Sequence, residues 1–117
     1  MHKDDLIRLR HMLDAATEAL ALAAGKSRDE IETERMLQLS LVRLIEVIGE
    51  AASRVSAELR THHSNLPWKA IIGMRHQLIH GYDNIDYDIL YQTLQEDLPA
   101  LVEQLQTIVP SKNNIQE

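Results

Sequence analysis

The chain is expected to fold as an all-α, antiparallel up-down bundle of four helices, with room for a fifth. Three observations lead there. Apolar residues recur at steps of three and four in four separate segments, the signature of helices with one greasy face. The breaks between segments are short and hold cap and turn residues, as between neighbouring antiparallel helices. There is no strand signal, no repeat and no low-complexity tract. At 117 residues, with 44% apolar and 26% charged side chains, the chain suits one domain with a real core. Residues 1–110 are assigned to the helical domain and 111–117 to a polar tail.

The first helix spans about residues 4–24, with Leu6, Leu9, Leu13, Ala16, Leu20 and Ala23 as its stripe. Gly25 follows where a left-handed cap is wanted. The second helix, about 28–60, carries Leu37, Leu41, Leu44, Ile48, Ala51 and Val55, widened by Val42, Ile45 and Ala52. So wide a face suits burial on two sides, against its own bundle and a second chain. Arg43, Glu46, Glu50 and Arg54 form a separate line, with Glu50 expected to pair with Arg54. "HHSNLPW" then breaks the pattern, and Pro67 suits the start of a third helix over about 67–80, ending near Gly81. Trp68 is expected in the core. "DNID" is turn chemistry, with Asp86 as N-cap of a fourth helix carrying Tyr87, Leu90, Leu94, Leu98, Leu101, Leu105 and Ile108. Pro99 inside it predicts a kink or a short break.

Charge and composition narrow the function classes. No apolar run reaches the roughly 18–20 residues that span a bilayer, and "MHKDDLIRL" lacks the layout of a secretion signal. With no cysteine there is no disulfide frame and no thiolate metal site. A soluble cytoplasmic protein is expected. The net charge of −6 argues against nucleic acid as a partner until its distribution is considered. Between residues 54 and 82, four cations (Arg54, Arg60, Lys69, Arg75) face one anion (Glu58). His62, His63, His76 and His80 fall in the same segment, so an RNA partner is confined to this patch. The bland alternative is a solvated surface, and His62-His63 reads better as an exposed loop pair than as a metal site.

"GMRHQLIHGYDNID", residues 73–86, concentrates the unusual chemistry. Arg75 lies four residues from both Ile71 and Ile79, so it interrupts an apolar stripe and needs an anion, from an acidic partner such as Glu46 or Glu50 or from a ligand. Lys69, Gly73, His76 and His80 make an adjoining polar face. Gly73 in a helix interior costs about 1 kcal/mol relative to Ala, explained if a partner helix or a ligand approaches the backbone. Arg75 and His80 diverge by about 140° around a regular helix and by roughly 7.5 Å along it. Two copies across a two-fold axis would converge more easily. The residue types suit phosphodiester cleavage without a metal: imidazole moves a proton and guanidinium holds the phosphate. Arg-x4-His alone is a weak signal.

"RHQLIHGY" resembles the R-x4-H-x-Y signature of the HEPN superfamily, specifically the HepT-like toxins of minimal nucleotidyltransferase–HEPN toxin–antitoxin pairs. "RLIEVIGEAASRVS", "LPWKAIIGMRHQLIHGY" and "QEDLPALVEQL" agree, so the likeness covers about residues 3–110. The resemblance implies a homodimeric helical bundle and a metal-independent ribonuclease toxin acting on RNA such as tRNA or mRNA, with no cofactor. It makes Arg75 and His80 the catalytic pair and Tyr82 the hydroxyl adenylylated by the nucleotidyltransferase antitoxin. His76 stands where relatives often have Asn or Asp; it can orient the site by hydrogen bonding, and its charge can change with pH. Lys69, Gly73 and Arg54 are candidate RNA contacts. The alternative is a non-catalytic dimeric binding subunit of a nucleotidyltransferase, holding nucleotide or partner protein with the same cluster.

Overall fold

The computed structural model describes residues 1–81 and 84–110. It is an all-α helical bundle with one small two-stranded ladder among the described residues. Helix α1 (Lys3–Ala23) packs along α3 (Arg35–Ser53) and against α8 (Leu98–Gln106). Leu9, Met12, Ala16 and Ala19 of α1 are fully buried, with Leu41, Ile45, Ile48 and Ala52 of α3 and Leu90, Leu98 and Leu105 beyond. The α1 stripe is thus rotated from the expected one: Leu6, Leu13 and Leu20 are only partly buried, while Met12, Ala15 and Ala19 face the core. Small alanines let α1 lie close to its neighbours, and its long leucines flank the contact. Gly25 takes φ +74, the left-handed turn expected after α1.

The expected helix over 28–60 is three helices: α2 (Arg28–Thr33), α3 and α4 (Ala57–His62). Apolar spacing runs through both breaks, but local hydrogen bonds decide. Ser27 and Glu30 form a reciprocal capping box that starts α2. Gln38, buried on α3, donates to the carbonyls of Ile31 and Glu32 and closes α2's other end. At the second break Ser56 caps α4, accepting from the Leu59 N–H. Arg60 turns back to donate to the carbonyls of Val55 and Ser53 at the end of α3. That guanidinium therefore closes a helix end and is not a free cation of the basic patch.

The second break is held from the N-terminus. Asp5, 6% exposed, accepts from the Ser56 N–H at 2.8 Å and the Ser56 hydroxyl at 2.6 Å. The Ser56 hydroxyl bond, above all, keeps the Asp5 carboxyl below its usual range. A depressed folded-state pKa adds stability that is present above the unfolded value, near 3.8, and is lost as pH falls through the folded value. Asp5→Ala is expected to cost about 1–2 kcal/mol at neutral pH, because two donors lose a buried acceptor. Urea melts of both proteins at neutral pH and below pH 3.8 check this: the difference should shrink in acid.

The expected third helix, 67–80, is also divided. Helices α5 (Trp68–Ile72) and α6 (Met74–Leu78) meet at Gly73, and the chain then leaves helical geometry as β1 (Ile79–His80). Strand β1 pairs antiparallel with β2 (Asn84–Ile85), Ile79 opposite Ile85 and His80 opposite Asn84. This ladder corrects the strand-free expectation; two residues per strand are too few for an alternating pattern to register. Trp68 is in the core, its indole N–H on the His63 carbonyl at 2.9 Å. Asp86 caps α7 (Tyr87–Gln92) as expected. The fourth helix continues to α8 through a wide π-turn at Thr93–Asp97, where the Leu98 N–H reaches back to the Thr93 carbonyl. Pro99 follows at once, so the expected break takes the form of that turn.

Candidate functional site

Helix α3 builds one wall of the site. Its outward line of Met36, Leu39, Arg43, Glu46 and Glu50 advances by steps of three and four, opposite the core face that holds Leu41, Ile45 and Ile48. Gly49 lies between the two faces, where α5 comes in. A Cβ on Gly49 would stand 3.2 Å from the carbonyl oxygen of Ile72 and 3.4 Å from that of Ile71. The close approach anticipated at Gly73 is therefore made at Gly49. Gly73 is a helix junction (φ −89, ψ 2), and a Cβ there would meet nothing nearer than its own Lys69 carbonyl at 3.4 Å.

The approach of α5 to Gly49 carries Arg75, three residues beyond Ile72, over α3. Its Nε lies 3.0 Å from Glu46 Oε2, while Arg43 Nη1 lies 2.7 Å from Glu46 Oε1. One carboxylate thus bridges two guanidiniums, and the second carboxylate of this wall, Glu50, brings the four groups to charge balance. The contact uses Nε of Arg75, and a guanidinium held through Nε still has its two Nη groups, a pair of donors that can grip phosphate. Glu46, Gly49, Glu50, Ser53, Ile72 and Arg75 line an open cavity of about 240 Å³. The ion pair with Glu46, foreseen as the bland explanation of Arg75, is present; partial exposure on both sides limits what it contributes to folding. Glu50 and Arg54, expected to pair, do not: among the described residues no ion pair joins them.

His80 is held differently. It lies at the end of β1, 60% exposed, with Nε2 3.2 Å from Asp86 Oδ2. Asp86 Oδ1 accepts the Ile89 N–H at 3.1 Å, and the Asp86 N–H donates to the Leu78 carbonyl at 2.8 Å, closing the ladder onto α6. The Ile89 N–H, then the His80 side chain, keep the Asp86 carboxyl below its ordinary range, so it is ionised at neutral pH. Among the described residues no hydrogen bond or ion pair joins Arg75 to His80, in keeping with their divergence along the chain. His76 and Lys69 are exposed on α6 and α5. Tyr82, the proposed modification site, lies outside the described residues.

Arg54 belongs to another region. With His62, His63, Met1, Asp4 and Glu58 it lines a cavity of about 570 Å³ between the start of α1 and α4. Its carboxylates offset its cations, and neither Arg75 nor His80 reaches it. Of the two catalytic candidates, Arg75 lines the smaller cavity and His80 does not. Asp86 was legible in the sequence only as a helix cap; nothing in its spacing announces that the ladder folds it back onto His80.

Comparison with known proteins gives a consistent picture. Residues 12–108 match the family model described as HepT-like, ribonuclease HepT-like. A protein of Caldanaerobacter subterraneus subsp. tengcongensis, named as a candidate RNase, is 35% identical over 101 residues, covering 86% of this chain and 90% of its own length. A candidate RNase of Methanocaldococcus jannaschii is 29% identical over 100 residues, covering 86% and 92%. A protein of Thermococcus cleftensis named "Probable ribonuclease HepT" is 30% identical over 93 residues, covering 76% and 84%. No solved structure matches the chain at a significant level.

Proposed function

From the premise that this chain belongs to the HepT-like ribonuclease family of the HEPN superfamily, we propose that it is the RNA-cleaving toxin of a toxin–antitoxin pair, acting at a site shared by two copies. The observation that carries this reading is an exposed guanidinium, Arg75, that spends only its Nε on Glu46, in the same short segment as an exposed imidazole, His80, held on Asp86. One group grips a phosphate and the other moves a proton. The outward line of α3 supplies the pairing surface: Met36 is 83% exposed and Leu39 53%, with Ile72 alongside at 36%. Arg43, Glu46 and Arg75 give that surface both signs of charge, which a two-fold contact needs for self-complementarity.

The reaction assigned to the site is transesterification. One His80 takes the proton of the ribose 2′-hydroxyl, and the 2′-oxygen attacks the adjacent phosphorus. The bond to the 5′-oxygen breaks, and the imidazolium of the second copy's His80 gives that oxygen a proton. The products are a 2′,3′-cyclic phosphate and a 5′-hydroxyl, with no net proton exchange. Arg75 neutralises the charge gathering on the phosphoryl oxygens. No step in this scheme requires a metal. The test is to incubate the purified chain with tRNA and total RNA in EDTA while measuring its mass in solution. A dimer that yields cyclic-phosphate ends is expected. A monomer, or intact RNA throughout, sinks the proposal, and intact RNA with a dimer favours the binding-subunit alternative.

Regulation is assigned to Tyr82. Adenylylation there by the partner nucleotidyltransferase adds bulk and negative charge near His80 in sequence, opposing RNA phosphates. With partner and ATP, the wild-type chain should gain AMP in mass and lose cleavage, whereas Tyr82→Phe should stay unmodified and active. Modification of Tyr82→Phe at an unchanged level would refute the assignment.

A further inference from the structure

We propose that Asp86 is the positioning residue for His80, fixing which ring nitrogen faces the RNA. This inference rests on the nuclease reading of His80. An ionised carboxylate has only acceptor oxygens. At 3.2 Å from Asp86 Oδ2, Nε2 of His80 must therefore carry the hydrogen. In the neutral ring that leaves Nδ1 with the lone pair, so Nδ1 is the atom that takes the 2′-hydroxyl proton in one copy and, protonated, returns one in the other.

The carboxylate is itself fixed. Its second oxygen is tied to the Ile89 N–H at the start of α7. Its backbone N–H is tied to Leu78, the last residue of α6. The ladder pairs His80 with Asn84, two residues before Asp86. One aspartate thus joins the helix carrying Arg75, the strand carrying His80 and the start of α7. A ring 60% exposed on a two-residue strand has no other side-chain hydrogen-bond partner among the described residues to choose its rotamer. The wider arrangement has the logic of a carboxylate that orients a catalytic imidazole without itself exchanging the proton.

The experiment separates this role from helix capping. Ser and Asn cap helices about as well as Asp, but Ser is too short to reach His80, whereas Asn still offers an oxygen to Nε2–H. Asp86→Ser should keep its helical signal and melting temperature and bind an uncleavable 2′-deoxy substrate as wild type does. Its kcat should fall about 10- to 100-fold, part of what an acid–base group supplies. Asp86→Asn should recover part of that loss. The ring is read separately by long-range proton–nitrogen spectra: one neutral tautomer, protonated at Nε2, is expected in wild type and a mixture in Asp86→Ser. Full kcat in Asp86→Ser, a loss that follows the loss of helical signal, or a tautomer mixture already in wild type would each overturn the proposal. A wild-type chain that cuts no RNA sinks the nuclease reading, and the spectra still decide whether Asp86 sets the ring.

Discussion

Replacing Arg75 by Ala is expected to lower RNA cleavage by about 10²–10³-fold, the effect of removing one preorganised donor from a developing oxyanion. His80→Ala is expected to lower it by about 10²–10⁴-fold through loss of proton transfer. Neither variant should unfold. Arg75 is 46% exposed on its side chain and its ion-pair partner Glu46 keeps a second cation in Arg43, so removing Arg75 strands no buried charge. Its stability cost should be within about 1 kcal/mol, the scale of an exposed pair. The purely structural account of Arg75 predicts that same small cost and no change in cleavage, so one pair of measurements separates the two. Arg75→Lys should recover little, because an ammonium keeps the charge and loses the planar fork. The check is single-turnover cleavage of a defined RNA by folded protein, with urea melts alongside.

Gly49→Leu is expected to cost up to about 3 kcal/mol and to reduce cleavage as well. Even a bare Cβ would approach the Ile72 carbonyl to 3.2 Å, so a full side chain must push α5 away from α3 or fill the cavity beneath Arg75. Forcing extra carbons into a tight contact typically costs about 1–3 kcal/mol. The gain from replacing a helical glycine offsets at most about 1 kcal/mol of that. Arg75 sits three residues past the displaced carbonyl, and an ångström of misplacement at a reacting group can cost about 10²-fold in rate. Gly49→Ala should fall near neutral, since the propensity gain and the tight contact oppose each other. Thermal melts and cleavage rates of the two variants test this; a Gly49→Leu protein as stable and active as wild type would show that α5 is not fixed by this contact.

The fold class, the core residues of α3 and of the fourth helix, the Gly25 turn and the Asp86 cap could all be read from the sequence. Each depends on chemistry within a few residues. The break at Ser56 could not. Val55 continues the apolar stripe of α3, so nothing in the periodicity reveals that Asp5, fifty-one residues away, draws the Ser56 N–H and hydroxyl out of helical pairing. Gly73 was the wrong glycine for the same reason: the close approach is made at Gly49, and only tertiary packing decides which glycine a neighbouring backbone meets. The Glu46 partner of Arg75 was among those foreseen, but the stripe Arg75 was expected to interrupt is split among α5, α6 and β1, which leaves the guanidinium exposed. The hold of Asp86 on His80 needed the ladder, whose two-residue strands leave no pattern to find.

The wide turn at Thr93–Asp97 ties together two features of this helix that look independent. It holds one more residue than an ordinary turn, and it ends just before Pro99, which lacks the hydrogen an ordinary turn would demand. Deleting a residue within it would restore α-helical phase and keep Leu98, Leu101 and Leu105 inward, but would set the proline ring against the preceding coil. Substituting the proline alone would leave the surplus residue in place. The dependence therefore runs one way: the proline can change alone, but the turn can lose a residue only after the proline has gone, an epistatic order written into one turn of backbone.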